Sequence, residues 1–204
     1  MKEVLIATNN AGKGKDFEAL FTPLGIRVLT LNDIEGDIDV EETGKTFEEN
    51  AILKAETVAN LLGKIVIADD SGLEIDALDG APGVYSARYA GNDTTDDKNI
   101  DKALQALQGV RGEERTARFR CVLAIAGPGI KTEVFSGSCE GMITEERHGT
   151  NGFGYDPIFY VPEKNCTMAE LTPGEKSSIS HRGAALAKLQ IKLPLLIEGA
   201  GDSK

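Results

Sequence analysis

Short apolar runs alternate along this chain with segments of helical periodicity, and this alternation limits the folds that it can adopt. Residues 3–8 form an apolar run that stops at two asparagines, after which Phe17 and Phe21 recur at helical spacing. A second apolar run covers residues 65–68. Strands that alternate with helices are typical of the α/β class, in which helices flank a central sheet. We therefore predict an α/β fold.

Three further helices are predicted from start and stop signals. The first begins at the capping box of Thr46 and Glu49 and ends at Gly63. The second follows the apolar spacing of residues 100–107. The last begins at a Thr-Pro pair and is broken near Ser180. Since the sequence contains no repeat, low-complexity tract or linker, we expect residues 1–204 to form a single domain.

A β-hairpin is predicted near the middle of the chain. Residues 116–126 and 131–139 are rich in strand formers, and the turn between them contains Gly127-Pro128-Gly129. Because so short a turn joins antiparallel strands, the sheet is expected to be mixed. The strand at residues 65–68 is expected to end in a polar turn, Asp69-Asp70-Ser71-Gly72, and ligands gather at such strand ends in α/β sheets.

The charge balance narrows the classes of partner. With a formal net charge of −11, the chain lacks the surplus of Lys and Arg with which nucleic-acid-binding surfaces neutralise phosphates. No nucleic-acid partner is therefore expected. A small polyanion such as a nucleotide could still be held by local clusters of cations, backbone N–H groups and a metal ion.

Neither a membrane partner nor a disulfide framework is indicated. The longest apolar run, residues 121–126, is far shorter than the roughly 20 residues of a spanning helix. The amino terminus runs into a strand without the pattern of a signal peptide, so a cytoplasmic location is expected. Cys121, Cys139 and Cys166 are odd in number and show no C-x-x-C spacing, which favours buried free thiols.

The segment Thr8-Asn9-Asn10-Ala11-Gly12-Lys13 connects the first strand to the first helix. Its N–H groups and Lys13 can converge on an anion at the positive end of that helix, which favours phosphate binding. The segment matches neither the Walker pattern nor G-x-G-x-x-G, and an ordinary polar connection with an exposed lysine is the alternative.

Two acidic segments could serve a metal. In Asp69-Asp70-Ser71-Gly72, one carboxylate can ligate Mg²⁺ while the other orients or deprotonates a water, and a capped turn is the alternative. A second acidic stretch contains Asp33, Glu35, Asp37, Asp39, Glu41 and Glu42. Most of these charges are expected only to aid solubility, but Glu41 or Glu42 could reach the same metal.

Two later segments could recognise a base. Gly152-Phe153-Gly154-Tyr155-Asp156-Pro157 offers an aromatic plane and a carboxylate, which suit stacking on a base and accepting from its ring N–H. A glycine-rich turn with a core Phe is the alternative. Lys176 and Ser180-His181-Arg182 form a cationic cluster near a helix start. Positive charge is unfavourable at that position, which favours a functional role.

Taken in order, these segments resemble the inosine triphosphate pyrophosphatase family, and the match spans nearly the whole chain. The pattern is completed by Thr46-Phe47-Glu48-Glu49-Asn50-Ala51, Lys54, Ala81-Pro82-Gly83 and Tyr85-Ser86-Ala87-Arg88. Departures are small: Asn9 and Asn151 stand where glycine is common, and Asp16 where glutamate is common. The resemblance implies an elongated, two-lobed α/β fold with a central mixed sheet flanked by helices, a nucleotide cleft between the lobes, a homodimer and a Mg²⁺ requirement.

The resemblance also implies a role for each site residue. Asp70 would be the catalytic base and, with Glu41 or Glu42, a metal ligand. The substrate-binding set would comprise Thr8, Asn9, Asn10, Ala11, Gly12, Lys13, Lys54, Ser71, Phe153, Gly154, Tyr155, Asp156, Lys176, His181 and Arg182. Its amino-terminal members would hold the triphosphate. Phe153 would stack on the purine, Asp156 would accept a hydrogen bond from it, and the three cationic residues near the carboxyl end would complete the base pocket.

The implied activity is the hydrolysis of ITP, dITP and XTP to the monophosphate and pyrophosphate, which removes abnormal purine nucleotides from the pool. Donors aimed at a 6-oxo group would face the 6-amino group of adenine, so ATP should be rejected. GTP shares the 6-oxo group, and some leakage toward it is expected. Two alternatives stay open: a related pyrophosphatase for modified pyrimidine nucleotides, and a nucleotide-binding regulator without catalysis.

Overall fold

Helices and strands alternate along the amino-terminal part of the computed structural model, which describes residues 2–34, 36 and 38–199. Glu35 and Asp37 of the acidic stretch lie outside the described residues. The described elements are β1 (Lys2–Ile6), α1 (Ala11–Phe21), β2 (Ile26–Thr30), α2 (Phe47–Leu62), β3 (Val66–Ile75), α3 (Asp96–Ala106), β4 (Thr116–Gly127), β5 (Ile130–Ile143), β6 (Phe159–Val161), β7 (Cys166–Thr167), α4 (Pro173–Ile179) and α5 (His181–Gly199).

The strands form one sheet in the order β2-β1-β3-β4-β5-β6-β7. Strand β1 runs parallel to both of its neighbours, with Leu5 opposite Leu29 on one side and Val66 on the other. Strands β5, β6 and β7 pair antiparallel. The predicted α/β class with a mixed sheet is therefore confirmed, and so is the hairpin of β4 and β5.

The chain divides into two compact units. The first unit takes the segments Met1–Asp70, Cys121–Gly137 and Arg182–Lys204, and the second takes Ser71–Arg120 and Ser138–His181. Each unit has its own buried apolar core. Phe17, Phe21, Ile67, Leu123 and Leu189 belong to the first core, and Leu73, Ile100, Leu107, Phe119 and Phe159 to the second. The assignment of residues 1–204 to a single domain remains a prediction.

Local capping chemistry sets the limits of α2 as predicted. The Thr46 hydroxyl accepts from the Glu49 N–H at 3.1 Å, and the Glu49 carboxylate accepts from the Thr46 N–H at 3.2 Å. At the other end, Gly63 has a φ of 60°, a left-handed conformation that glycine adopts at little cost. The break between α4 and α5 also falls at Ser180, as predicted.

The polar turn expected after residue 68 is wrong. Strand β3 continues through Asp69-Asp70-Ser71-Gly72 and ends only at Ile75. The two aspartates are tolerated inside the strand because successive side chains point to opposite faces of a sheet, and each carboxylate meets polar or cationic partners on its own face. Leu73 and Ile75 are fully buried and anchor the far end of the strand.

The expectation that all three cysteines are buried is met at two of them. All three cysteines are free; Cys121 and Cys139 are buried, and Cys166 is partly buried. Of the helices that the structure describes, none has the length and apolar character needed to cross a membrane.

Candidate active site

The loop between β1 and α1 is organised by its own side chains. Asn10 is the N-cap of α1, and its Oδ1 accepts from the Lys13 N–H at 3.1 Å. The Thr8 hydroxyl accepts from the Asn10 N–H at 3.1 Å. Ala11 and Gly12 form the first turn of the helix, where backbone N–H groups point toward its positive end. The geometry of this segment therefore suits an anion.

Asn9 differs from the rest of this loop. Its side chain is exposed, and its Nδ2 donates to the carbonyl of Ile38 at 3.4 Å. This contact connects the loop to the middle of the acidic stretch.

Asp69 is a buried carboxylate held between two cations of the first unit. Its Oδ2 lies 3.2 Å from the Lys13 ammonium and 3.4 Å from the Arg182 guanidinium. Burial alone would raise the pKa of Asp69, but the charges of Lys13, Arg182 and Lys54 together hold it well below its ordinary value. Arg182 is itself anchored by Asp16, whose Oδ2 accepts from it at 2.6 Å. Asp69 is therefore an ionised anchor for two cations.

Asp70, the next residue, has a different environment. Its Oδ2 accepts from the Asn50 amide at 3.0 Å, and its Oδ1 lies 3.9 Å from the Lys54 ammonium. Burial raises the pKa of Asp70 to about 6, and the nearby Glu42 charge acts in the same direction. A carboxylate whose pKa lies near neutral pH can accept a proton during catalysis and release it afterwards. Asp70 therefore has the properties of a general base.

Lys54 links the second acidic stretch to β3. Its ammonium donates to Glu42 Oε1 at 2.6 Å and to the Asp69 carbonyl at 2.7 Å. Burial alone would lower the pKa of Lys54, but the three surrounding carboxylates raise it. Glu41, by contrast, is exposed. Of the two glutamates that the sequence left open, Glu42 is the one placed beside Lys54.

A pair of carboxylates around one ammonium is an incomplete metal site. Within residues 2–34, 36 and 38–199, no group of three or more His, Cys, Asp or Glu side chains is arranged to hold a metal ion. The carboxylates of Glu42 and Asp70 nevertheless lie 2.6 and 3.9 Å from the Lys54 ammonium nitrogen. Mg²⁺ commonly takes one or two carboxylates and completes its shell with water and substrate phosphates. The donor set therefore fits a metal that binds together with a phosphorylated substrate.

In the second unit, Asp156 organises the glycine-rich loop. Its buried Oδ2 accepts from the Phe153 N–H at 3.0 Å and from the Lys176 ammonium at 2.7 Å. A Cβ at Gly152 would overlap that same oxygen, so the close approach requires glycine. The Lys176 nitrogen lies 4.8 Å from the centroid of the half-buried Phe153 ring. An aromatic face and a fixed cation thus stand side by side.

Tyr155 and His181 pack into the second unit. The Tyr155 hydroxyl donates to the Ser86 carbonyl at 2.8 Å, and burial raises its pKa above the ordinary value. His181, the first residue of α5, is buried and stacks on Phe119 with ring centroids 5.0 Å apart. Ser71 lies partly buried in β3.

The predicted site residues fall into two groups. Lys13, Lys54, Asp69, Asp70 and Arg182 meet within the first unit, and the glycine-rich loop meets Lys176 within the second. His181 and Arg182 are adjacent in sequence but belong to different units. Arg182 contacts Asp16 and Asp69, and its expected role in the base pocket stays a prediction.

Asn50 also belongs to this site, but its contact with Asp70 was not predicted from the sequence. It is fully buried, and its Oδ1 accepts from the Gly44 N–H at 2.7 Å while its amide holds Asp70. A signal was present in the sequence, because Asn50 and Lys54 are polar residues spaced i, i+4 on the apolar stripe of α2.

Known proteins resemble this chain along most of its length. Residues 4–192 match the model of the Ham1 family. A dITP/XTP pyrophosphatase of Bacillus licheniformis is 58% identical over 193 residues, which are 95% of this chain and 98% of that protein. The structure of the Staphylococcus aureus Ham1 protein superposes with a TM-score of 0.84 at 51% identity, covering 95% of this chain and 98% of that one. A HAM1 protein from Coxiella burnetii gives the same TM-score at 45% identity, covering 95% and 99%.

These similarities confirm the family resemblance drawn from the motifs. They extend over both units, since residues 4–192 include all of the second unit and most of the first. The chain belongs to the Ham1 family.

Proposed function

We propose that this protein hydrolyses deaminated purine nucleoside triphosphates, namely ITP, dITP and XTP, to the monophosphate and pyrophosphate. The names of its relatives support this substrate class. The observation that carries the proposal is the contrast between two adjacent buried carboxylates: Asp69 is held ionised by Lys13 and Arg182, whereas the pKa of Asp70 is raised to about 6. The first arrangement positions cations for phosphates, and the second supplies a base.

In the proposed reaction, Asp70 takes a proton from a water whose oxygen attacks the α-phosphorus. The bond from that phosphorus to the oxygen of the β-phosphate breaks, and pyrophosphate leaves with the electron pair. Lys13, at the start of α1, would stabilise the charge that grows on the leaving group. Asn50 would keep the Asp70 carboxylate in place during proton transfer.

Nucleoside triphosphate pyrophosphatases are generally metal-dependent, and we propose Mg²⁺ as the cofactor here. Asp70 and Glu42 would hold the ion together with phosphate oxygens of the substrate. Glu42 is preferred to Glu41 because Glu42 and Asp70 both approach Lys54. When bound, the ion would neutralise phosphate charge and lower the cost of attack by a nucleophile.

Base selection is assigned to the second unit. Phe153 would stack on the purine, and the Lys176 ammonium beside it would donate to the 6-oxo group. An ammonium has three donors and no acceptor, so it cannot accept from the 6-amino group of adenine. Asp156 already accepts from Phe153 and Lys176, and we therefore assign it the positioning of these two groups as well as the expected contact with the base. His181 would supply a further donor.

Two supplementary features belong to the same proposal: a homodimer, and a cytoplasmic location where nucleotide pools turn over. Sedimentation velocity of the purified protein tests the first. A species with the mass of one chain at micromolar concentration would contradict it.

The decisive assay incubates the protein with ITP, dITP, XTP, GTP, ATP and a modified pyrimidine triphosphate, with Mg²⁺ or with EDTA, and resolves the products. We expect monophosphate and pyrophosphate from the 6-oxo purines, weaker turnover of GTP and little of ATP. Release of diphosphate and phosphate would contradict the reaction. A preference for the pyrimidine would favour the related enzyme class, and tight ITP binding without products would favour a regulator.

A further inference from the structure

Both peptide groups that flank Phe153 are held by carboxylates. On one side, the Phe153 N–H donates to Asp156 Oδ2 at 3.0 Å; on the other, the Gly154 N–H donates to Asp96 Oδ2 at 2.7 Å. A planar peptide leaves each residue only two soft dihedral angles, so fixing both flanking peptides fixes the backbone of the residue between them. The direction in which the Phe153 side chain leaves the loop is thereby set.

We propose that Asp96, the first residue of α3, is a positioning residue for base recognition. It lies 58 residues before Gly154 in the sequence. The inference rests on the proposed function, because it assumes that Phe153 stacks on the base. Asp96 acts through the backbone of the loop and touches no substrate atom.

Asp96 belongs to a helix whose amino-terminal end is held in place by several hydrogen bonds. The Thr95 hydroxyl caps the helix by accepting from the Lys98 N–H at 3.3 Å. Arg147, which precedes the glycine-rich loop, donates to the Asp97 carbonyl at 3.1 Å and to the Asp101 carboxylate at 2.7 Å. Residues 147–154, which lead into and include the start of the loop, are therefore connected to the amino-terminal half of α3 at two places, Arg147 and Gly154.

The backbone of Gly154 shows why its contact matters. Gly154 has a φ of 60°, in the left-handed region that side-chain-bearing residues seldom adopt. Glycine has the largest conformational freedom to lose, so a hydrogen bond to its N–H restricts the loop most at this position. Without Asp96, the loop would have to be ordered when the nucleotide binds, and affinity would fall while the chemistry on Asp70 would continue.

Asp97 provides a matched control. It is the next residue, also acidic and also in the first turn of α3, so both side chains carry negative charge near the positive end of the helix dipole. The Asp97 side chain is 85% exposed and lies 3.7 Å from Arg147. Any effect specific to Asp96 must therefore come from Gly154 and not from the helix end.

The first experiment compares ITP kinetics of the Asp96→Ala, Asp97→Ala and Asp96→Asn variants with Mg²⁺ present. Loss of one charge-assisted hydrogen bond should raise the KM of Asp96→Ala about five- to tenfold, with kcat within about twofold. Asp97→Ala should stay within about twofold in both constants. Asp96→Asn keeps an acceptor oxygen and should recover most of the lost KM. An unchanged KM in Asp96→Ala, or a fall in kcat alone, would overturn the inference.

The Phe153→Ala variant separates this inference from the function on which it rests. Loss of the aromatic ring on which the base stacks should raise the KM for ITP by at least about fivefold. If Phe153→Ala leaves that KM unchanged, the assigned stacking role fails. If Phe153→Ala raises it and Asp96→Ala does not, only the role of Asp96 fails.

A second experiment measures the loop without turnover. The sequence has no tryptophan, so Phe153→Trp introduces a single fluorescent reporter. We expect acrylamide to quench this tryptophan at least about twofold faster in the Phe153→Trp, Asp96→Ala double variant than in Phe153→Trp alone. In the double variant with Asp97→Ala, the quenching rate should be unchanged. Equal quenching in the two double variants, at equal thermal midpoints, would show that Asp96 does not order the loop.

Discussion

The starts of α2 and α3 are built alike but act on different partners. Each helix is capped by a threonine, Thr46 or Thr95, and carries a buried asparagine four residues later, Asn50 or Asn99. In each case the asparagine Oδ1 accepts from a backbone N–H in the segment before the helix, at 2.7 Å in the first unit and 2.8 Å in the second. Both asparagines thus tie an incoming loop to a helix start.

The two asparagines differ in the group to which the side-chain N–H donates. Asn50 donates at 3.0 Å to the carboxylate of Asp70, whereas Asn99 donates at 3.2 Å to the carbonyl of Ala87. One asparagine amide N–H therefore donates to a titratable group, and the other donates to a backbone carbonyl. In both places a buried asparagine fixes a loop against a helix start. It can contribute to chemistry only where the tertiary structure brings a reactive group to its amide nitrogen.

The largest effect is expected at the carboxylate that Asn50 holds. Asp70→Asn removes the general base, which typically contributes about 10²–10⁴ in rate, and we expect kcat for ITP to fall about 10³-fold with a much smaller change in KM. The control is Asp93→Asn, which changes an exposed aspartate of the second unit. Retention of more than about a tenth of wild-type kcat by Asp70→Asn would remove Asp70 from the mechanism.

Asp69→Asn should lower stability more than any other change in this cluster. It leaves the buried Arg182 and Lys13 without their shared anion, at a cost of about 3 kcal/mol in the free energy of unfolding. Because the folded-state pKa of Asp69 is lowered, its contribution is present above pH 3.8 and is lost as the pH falls below that value. Urea titrations at pH 7 and at pH 3.5 measure the difference in free energy of unfolding between wild type and Asp69→Asn. A difference that is larger at pH 3.5 than at pH 7 would contradict the lowered pKa of Asp69.

Asp70→Asn should have the opposite effect on stability. The folded-state pKa of Asp70 is about 6 against an ordinary 3.8, so the ionised carboxylate destabilises the fold. The penalty is absent below pH 3.8, grows as the pH rises to about 6 and then stays constant at about 3 kcal/mol. Urea unfolding in EDTA should therefore find Asp70→Asn more stable than wild type at pH 7 and equally stable at pH 3.5. Lower stability at pH 7 would contradict this.

The paired asparagines allow the smallest and most specific comparison. Leucine has the same branched outline as asparagine but is larger and lacks the amide, so Asn50→Leu and Asn99→Leu each remove the hydrogen bonds, and each should cost at least about 1–2 kcal/mol of stability. Only Asn50→Leu should also lower kcat for ITP, by about tenfold, because only Asn50 contacts Asp70. Equal losses of kcat in the two variants would show that the difference between the helix starts has no catalytic meaning.

Sequence analysis predicted the elements whose limits depend on local chemistry. The capping box at Thr46 and the left-handed Gly63 define α2 without reference to the rest of the chain. The polar turn at residues 69–72 was wrong because a strand extends when neighbouring strands and buried partners support it, and these partners are distant in sequence.

The same reasoning explains which parts of the candidate site could be foreseen. The residue types and the segments that carry them were evident from composition and order. The pairing of Arg182 with Asp69, 113 residues away, and that of Asn50 with Asp70, 20 residues away, depend on tertiary contacts that no local pattern encodes. The sequence therefore indicated the residue types but not the pairings of Arg182 with Asp69 and of Asn50 with Asp70.

We assign phosphate chemistry to the first unit and base choice to the second, and two equivalent substitutions test this assignment. The measurement is the ratio of kcat/KM for ITP to that for ATP in wild type, Lys13→Met and Lys176→Met. Lys13→Met should lower both values by the same factor and keep the ratio, because both nucleotides carry the same triphosphate. Lys176→Met should lower the ratio at least about tenfold, because only ITP loses a hydrogen bond to its 6-oxo group. A ratio that survives Lys176→Met or collapses in Lys13→Met would contradict the account.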